Sequence, residues 1–132
     1  MTKKKEPDSR QRALLCLNAS LEKKATDVVL LNVKEISAFA DYFIICSGAS
    51  DRQVRAIAEA IRENLKKAHI LPLGVEGEAA GQWILMDYTD VIIHIFLDSV
   101  RTFYDLERLW SEAPRMTVPG DTLSLKALAK GM

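Results

Sequence analysis

The sequence has few of the marks of a catalytic or metal-holding chain. Its only two cysteines, Cys16 and Cys46, lack the paired spacing of a zinc site. Each lies in an apolar run, which predicts buried free thiols. No apolar run reaches membrane-spanning length, and no apolar stretch follows the basic residues between Met1 and Pro7 as a secretory signal would need. Glu6 and Asp8 come too early for an acid-poor transit peptide, so the expected compartment is the cytoplasm. There is no internal repeat and no low-complexity block. Formal net charge is zero, so no global field draws the chain to nucleic acid, and no nucleic-acid specificity is expected.

The charge is unevenly spread. Residues 1–26 carry seven Lys/Arg against three Asp/Glu, while residues 76–112 carry two Arg against eight Asp/Glu. A basic protein surface suits that acidic stretch better than bare nucleic acid does, although a merely solvated acidic face explains it as well.

With 132 residues, 48% of them hydrophobic, the chain can build one domain with a modest core. Asp8 and Gln11 form a capping-box pattern, and Ala13, Leu14, Leu17 and Leu21 recur at helical spacing, predicting a helix over about 9–24. Val28–Val33 and Tyr42–Cys46 read as strands, joined by a connector at Ile36–Phe39. Ser50 and Gln53 repeat the capping pattern, and Val54, Ile57, Ala58, Ile61 and Leu65 share one helical face. After Pro72 and Gly74 come Val75 and two further strands, Trp83–Met86 and Val91–Leu97. The intervening Asp87-Tyr88-Thr89-Asp90 has turn chemistry, which makes an antiparallel hairpin. A last helix over Ser99–Glu112 places Val100, Phe103, Leu106 and Trp110 in one stripe, and Pro114 ends it. The reading is α/β: a single domain at 9–112 with a mixed sheet covered by helices, in which 42–75 forms a βαβ-like unit. Residues 1–8 are a flexible basic lead. Residues 113–132 are a mobile tail whose Leu123, Leu125 and Leu128 could form a short docking helix.

Several segments offer chemistry, each with a plainer reading. Free amides at the helix start after Cys46-Ser47-Gly48-Ala49-Ser50 could hold an anion. Yet the Lys-Ser/Thr of a phosphate-binding loop is missing, GxGxxG is absent, and a tight strand-to-helix connection suffices. Asp87 and Asp90 could hold a divalent cation in a nucleotidyltransferase, or could simply stabilise their turn. His94 shares a sheet face with Ile92 and Phe96, but no nucleophile or paired acid can be set beside it, which leaves a structural or interface histidine. Trp83, Tyr88 and Tyr104 are either plain core or, because they lie in the acidic stretch, binding anchors, a role that suits Trp and Tyr since they bury area while keeping a polar handle.

Longer blocks carry a family resemblance. Asp41-Tyr42-Phe43-Ile44-Ile45-Cys46-Ser47-Gly48-Ala49-Ser50 with Arg52-Gln53-Val54, then Leu73-Gly74-Val75-Glu76-Gly77, come first. Trp83 through His94 with Asp87, Asp90 and Val91 fixed follows, and Tyr104-Asp105-Leu106-Glu107-Arg108-Leu109-Trp110 closes the set. In this order they resemble the RsfS/Iojap family of ribosomal silencing factors over about residues 9–112. The resemblance implies a nucleotidyltransferase-like sheet without that catalysis, no cofactor and no metal. It also implies a homodimer and a partner, protein fourteen of the large ribosomal subunit, at the surface that meets the small subunit. Occupying that surface would block subunit joining and repress translation. The family's contact region maps onto Trp83, Asp87, Tyr88 and Tyr104, with Glu76 and His94 beside them; Tyr88 stands where many members have Leu. The alternatives are a nucleotidyltransferase using Asp87 and Asp90, and an adaptor for assembly of the large subunit.

Overall fold

The computed structural model describes residues 8–117. Helix α1 (Ser9–Glu22) starts where the sequence places it. Asp8 Oδ1 accepts the Gln11 amide and Gln11 Oε1 accepts the Asp8 amide, each at 2.9 Å, so two otherwise orphaned donors are satisfied reciprocally. Strands β1 (Thr26–Asn32) and β2 (Tyr42–Gly48) pair antiparallel. Every residue of β2 is buried, because it is sheathed on both faces and flanked on both edges.

Helix α2 (Asp51–Lys67) then carries the chain across the sheet. Val54, Ile57, Ile61 and Leu65 on its inner face are fully buried, each stabilising the fold by roughly 1.5–3 kcal/mol relative to exposure. The chain returns as β3 (Gly74–Glu76), β4 (Trp83–Asp87) and β5 (Val91–Leu97). β4 and β5 form the expected antiparallel hairpin, and β5 lies parallel to β2 with Ile44 beside Ile93. The expected βαβ unit is therefore a wide one. β3 runs in the direction of β2, but β5 and β4 lie between them.

Among the described residues six strands lie in the order β3-β4-β5-β2-β1-β6, where β6 (Arg115–Thr117) runs antiparallel along β1. Helices α1 and α2 cover one face, over a core that includes Ile44, Cys46, Ile84, Met86, Ile93 and Ile95. Both cysteines are buried free thiols, and burial pushes each well above the usual thiol range. The opposite face holds a second core around Leu31, Phe43, Ile45 and Phe96, closed by Val100, Leu106 and Trp110.

Two expectations change. The closing helix is broken into α3 (Asp98–Tyr104) and α4 (Leu106–Leu109) at Asp105, whose φ of 45° and ψ of 50° are left-handed, a region that Asp tolerates better than most residues. The single stripe therefore fails: Val100, Leu106 and Trp110 pack inward, while Phe103 is 80% exposed. Second, ordered structure passes the boundary set at residue 112. Ala113 is buried in the second core and residues 115–117 extend the sheet, because β1 offers them a free edge. The lead at 1–7 and the tail leucines Leu123, Leu125 and Leu128 lie outside the described residues.

Candidate functional site

The pleat of β4 decides which side chains can act together. Trp83, Leu85 and Asp87 point to the face that carries α3 and α4, while Ile84, Met86 and the following Tyr88 point into the core under α1 and α2. Across the hairpin, Trp83 sits opposite Phe96 and Leu85 opposite His94. This register assembles an aromatic group. Trp83 stacks on Phe96 with centroids 4.9 Å apart, and Tyr104 from α3 lies 4.9 Å from Trp83 on another side. Phe103 meets Tyr104 edge-on at 5.1 Å. Beneath them Phe43 contacts His94 at 5.7 Å and Trp110 at 4.7 Å, which ties the group to the second core.

The outer members stay accessible. Trp83 and Leu85 are half-buried, and Tyr104 is 54% exposed. Glu76 and Gly77 join Trp83 and Leu85 around a shallow groove of about 220 Å³. Gly77 has a φ of 88°, and a Cβ there would collide with the carbonyl oxygen of Trp83, so only glycine lets β3 come this close. Asp87 shares the face from the far end of β4, where its Oδ1 accepts the Thr89 amide at 2.8 Å.

His94 is almost wholly buried. Its Nδ1 accepts the indole N–H of Trp83 at 3.1 Å. Burial lowers its pKa to about 4, so the ring is neutral at neutral pH and free to accept. Arg101 pins α3 to the sheet from beneath. Its guanidinium donates to Asp27 O at 2.6 Å, Ser47 Oγ at 2.8 Å and Glu107 Oε1 at 2.9 Å. That clamp links α3, α4, β1 and β2, and so fixes where Phe103 and Tyr104 are presented.

The structure thus gathers Trp83, Tyr104, His94 and Glu76, and sets Asp87 on the same face. It removes Tyr88, which is 3% exposed on the opposite side of the sheet. Its hydroxyl has no hydrogen-bond partner among the described residues, and burial pushes its pKa well up. The reason is alternation: five positions beyond Trp83, a side chain faces the other way. Sequence reasoning also passed over Leu85, which the same alternation points to, and Phe103 and Arg101, which depend on the break at Asp105.

The other candidate chemistries are otherwise engaged. At the start of α2, Ser50 Oγ accepts the Gln53 amide at 3.1 Å and Gln53 Oε1 accepts the Ala49 amide at 2.7 Å. Gln53 therefore closes the loop one residue earlier than a capping box would, and its amide group donates to Lys23 O and Lys24 O at the end of α1. A Cβ at Gly48 would lie 3.1 Å from Val54 Cγ2, so the glycine serves close packing of strand on helix. Asp90 Oδ2 is held by Arg12 at 2.8 Å. Among the described residues no cluster of three or more His, Cys, Asp or Glu side chains is placed to hold a metal ion, and no helix is long and apolar enough to cross a membrane.

Comparison with known proteins agrees with the four-block resemblance. A ribosomal silencing factor RsfS from Halalkalibacterium halodurans is 42% identical over 106 residues, which is 80% of this chain and 91% of that one. The mitochondrial assembly of ribosomal large subunit protein 1 of Mus musculus is 31% identical over 93 residues, 68% of this chain and 41% of that longer protein. Among solved structures, a crystal structure of a Chromobacterium violaceum protein superposes with a TM-score of 0.78 at 32% identity, covering 80% of this chain and 88% of that one. The family described as "Ribosomal silencing factor during starvation" matches residues 6–130. A match of that length, carried by the same sheet and helices, leaves one assignment: the chain belongs to the RsfS family of ribosomal silencing factors.

Proposed function

We propose that this protein is a non-enzymatic silencing factor that binds the large ribosomal subunit through its protein fourteen. Seated there, it sterically blocks the small subunit from joining and represses translation. The observation that carries the reading is the aromatic row Trp83–Tyr104–Phe103, left accessible on the acidic half of a chain that belongs to this family. Trp83 and Tyr104 anchor the partner, with Leu85 and Phe103 widening the apolar contact. Glu76 and Asp87 lie at the rim, where carboxylates steer a basic partner and set its register more than they add affinity. Tyr88 has no place in this contact. A nucleotidyltransferase reading gains nothing from the geometry, since Asp90 is paired with Arg12 and Asp87 caps its own turn.

The name of the mouse relative favours a second reading on the same surface, an adaptor for large-subunit assembly. Co-sedimentation with mature and precursor large subunits separates the two. The family resemblance also carries the expectation of a homodimer. Leu71 and Leu73, exposed just before the edge strand β3, offer apolar surface for it, and sedimentation equilibrium tests that point. The decisive experiment is co-sedimentation with purified large subunits. Trp83→Ala is expected to weaken binding by on the order of 2 kcal/mol, roughly thirtyfold. A normally folded Trp83→Ala protein that binds like the wild type would remove the anchor and the reading with it.

A further inference from the structure

We infer that His94 is a positioning residue for Trp83: it sets the orientation in which the indole meets the partner, without being a contact itself. The inference rests on the large-subunit reading above and deepens it.

An indole has one hydrogen-bond donor, and a half-buried Trp that spends it inside the fold is restricted in how its ring can turn. Three contacts define the ring of Trp83. Its face stacks on Phe96 at an interplanar angle of 29°, Tyr104 lies against it at 47°, and its N–H donates to His94 Nδ1. Stacking alone lets a ring slide and flip over its neighbour. The N–H bond fixes which edge points inward, and hence which edge faces the partner. His94 is suited to this because it is buried and packed among neighbouring rings. It packs between Phe43 and Phe96 and lies opposite Leu85. Its role is also chemical. With Nδ1 accepting, the neutral ring must carry its proton on Nε2, so Trp83 and His94 fix each other's state, the indole fixing the tautomer and the imidazole the rotamer. At 6% exposure His94 offers a partner little surface, which argues against its being a contact in its own right.

Three substitutions test this on the full chain. His94→Phe keeps ring packing but removes the acceptor. His94→Asn places an amide oxygen near the Nδ1 position and restores it. His94→Leu, smaller than Phe and also without an acceptor, repeats the loss should Phe crowd the core. Binding to purified large subunits is expected to fall about tenfold in His94→Phe and in His94→Leu, and to recover in His94→Asn. In a Trp83→Phe background, which has no N–H to hold, His94→Phe is expected to cost nothing further. In nitrogen-15 spectra, the indole signal of Trp83, told apart from that of Trp110 by Trp83→Phe, should lose its exchange protection in His94→Phe and keep it in His94→Asn. Equal losses of binding in both backgrounds would make His94 an independent contact and overturn the inference, as would an indole signal indifferent to His94→Phe. If wild-type protein fails to bind large subunits, the functional reading falls, while the indole signals still decide whether His94 holds Trp83.

Discussion

Acidification should destabilise this protein through His94 before it protonates most carboxylates. The imidazole has an ordinary value of 6.5 when unfolded and about 4 in the fold, with burial as the cause. Its surroundings offer no compensating anion. Phe43, Phe96 and Trp83 lie against it, Leu85 and Ile45 flank it across the strands, titratable groups on that side include Glu76 opposite Leu85, Asp87 further along β4, Tyr104 beside Trp83 and the Arg101–Glu107 pair of α3 and α4, and burial alone accounts for the shift. The sign follows from linkage. Above pH 6.5 both states hold the ring neutral and stability is unaffected. As pH falls from 6.5 towards 4 the unfolded chain takes up a proton that the folded chain refuses, so stability is lost across that window. At 1.36 kcal/mol per tenfold difference in proton affinity, the loss is about 2 kcal/mol by about pH 5 and roughly 3 kcal/mol once the folded ring protonates. Urea denaturation of wild type and His94→Asn at about pH 7.5 and about pH 5 measures it, because the variant keeps every other titrating group. The stability gap between the two proteins should shift by about 2 kcal/mol in favour of the variant at the lower pH. Parallel losses in both proteins would refute the reasoning and mean that the ring reaches water or a counter-charge in the fold.

Tyr88→Phe removes a buried hydroxyl without a partner, so denaturation should show unchanged or higher stability, by up to about 1 kcal/mol, and large-subunit binding should not change. Arg101→Ala breaks the clamp on Asp27, Ser47 and Glu107, and the same assay should register a loss of about 2 kcal/mol. Phe103→Ser alters a side chain that is 80% exposed, so stability should hold within about 0.5 kcal/mol while co-sedimentation with large subunits weakens.

Where structure follows from local pattern, the sequence was sufficient to read it. The Asp8–Gln11 box starts α1, the spacing from Val54 to Leu65 carries α2, and the turn at Asp87–Asp90 folds β4 onto β5. What stayed hidden was set by contacts distant in sequence. The break at Asp105 is held by Arg101 reaching Asp27 and Ser47, and no periodicity within 99–112 reports that. β6 is three residues long and exists because β1 presents an edge to it. For the candidate site, residue type singles out Trp83 and Tyr104, and the structure sets them against each other with Glu76 near Trp83. Tyr88 was misplaced because its neighbourhood in sequence outweighed the two-residue alternation that turns it inward, and the same alternation would have brought in Leu85.

The parallel pairing of β2 with β5 has a consequence for how the chain comes to be folded. β2 is buried along its whole length, and β1 covers only one of its edges. Its other edge waits for Val91–Leu97, which is made only after α2, β3 and β4. During synthesis the N-terminal half therefore emerges with an open, sticky strand that it cannot close alone. Completion depends on a contact between distant parts of the chain, which makes the sheet slow to form relative to its helices and makes truncation before β5 a recipe for aggregation.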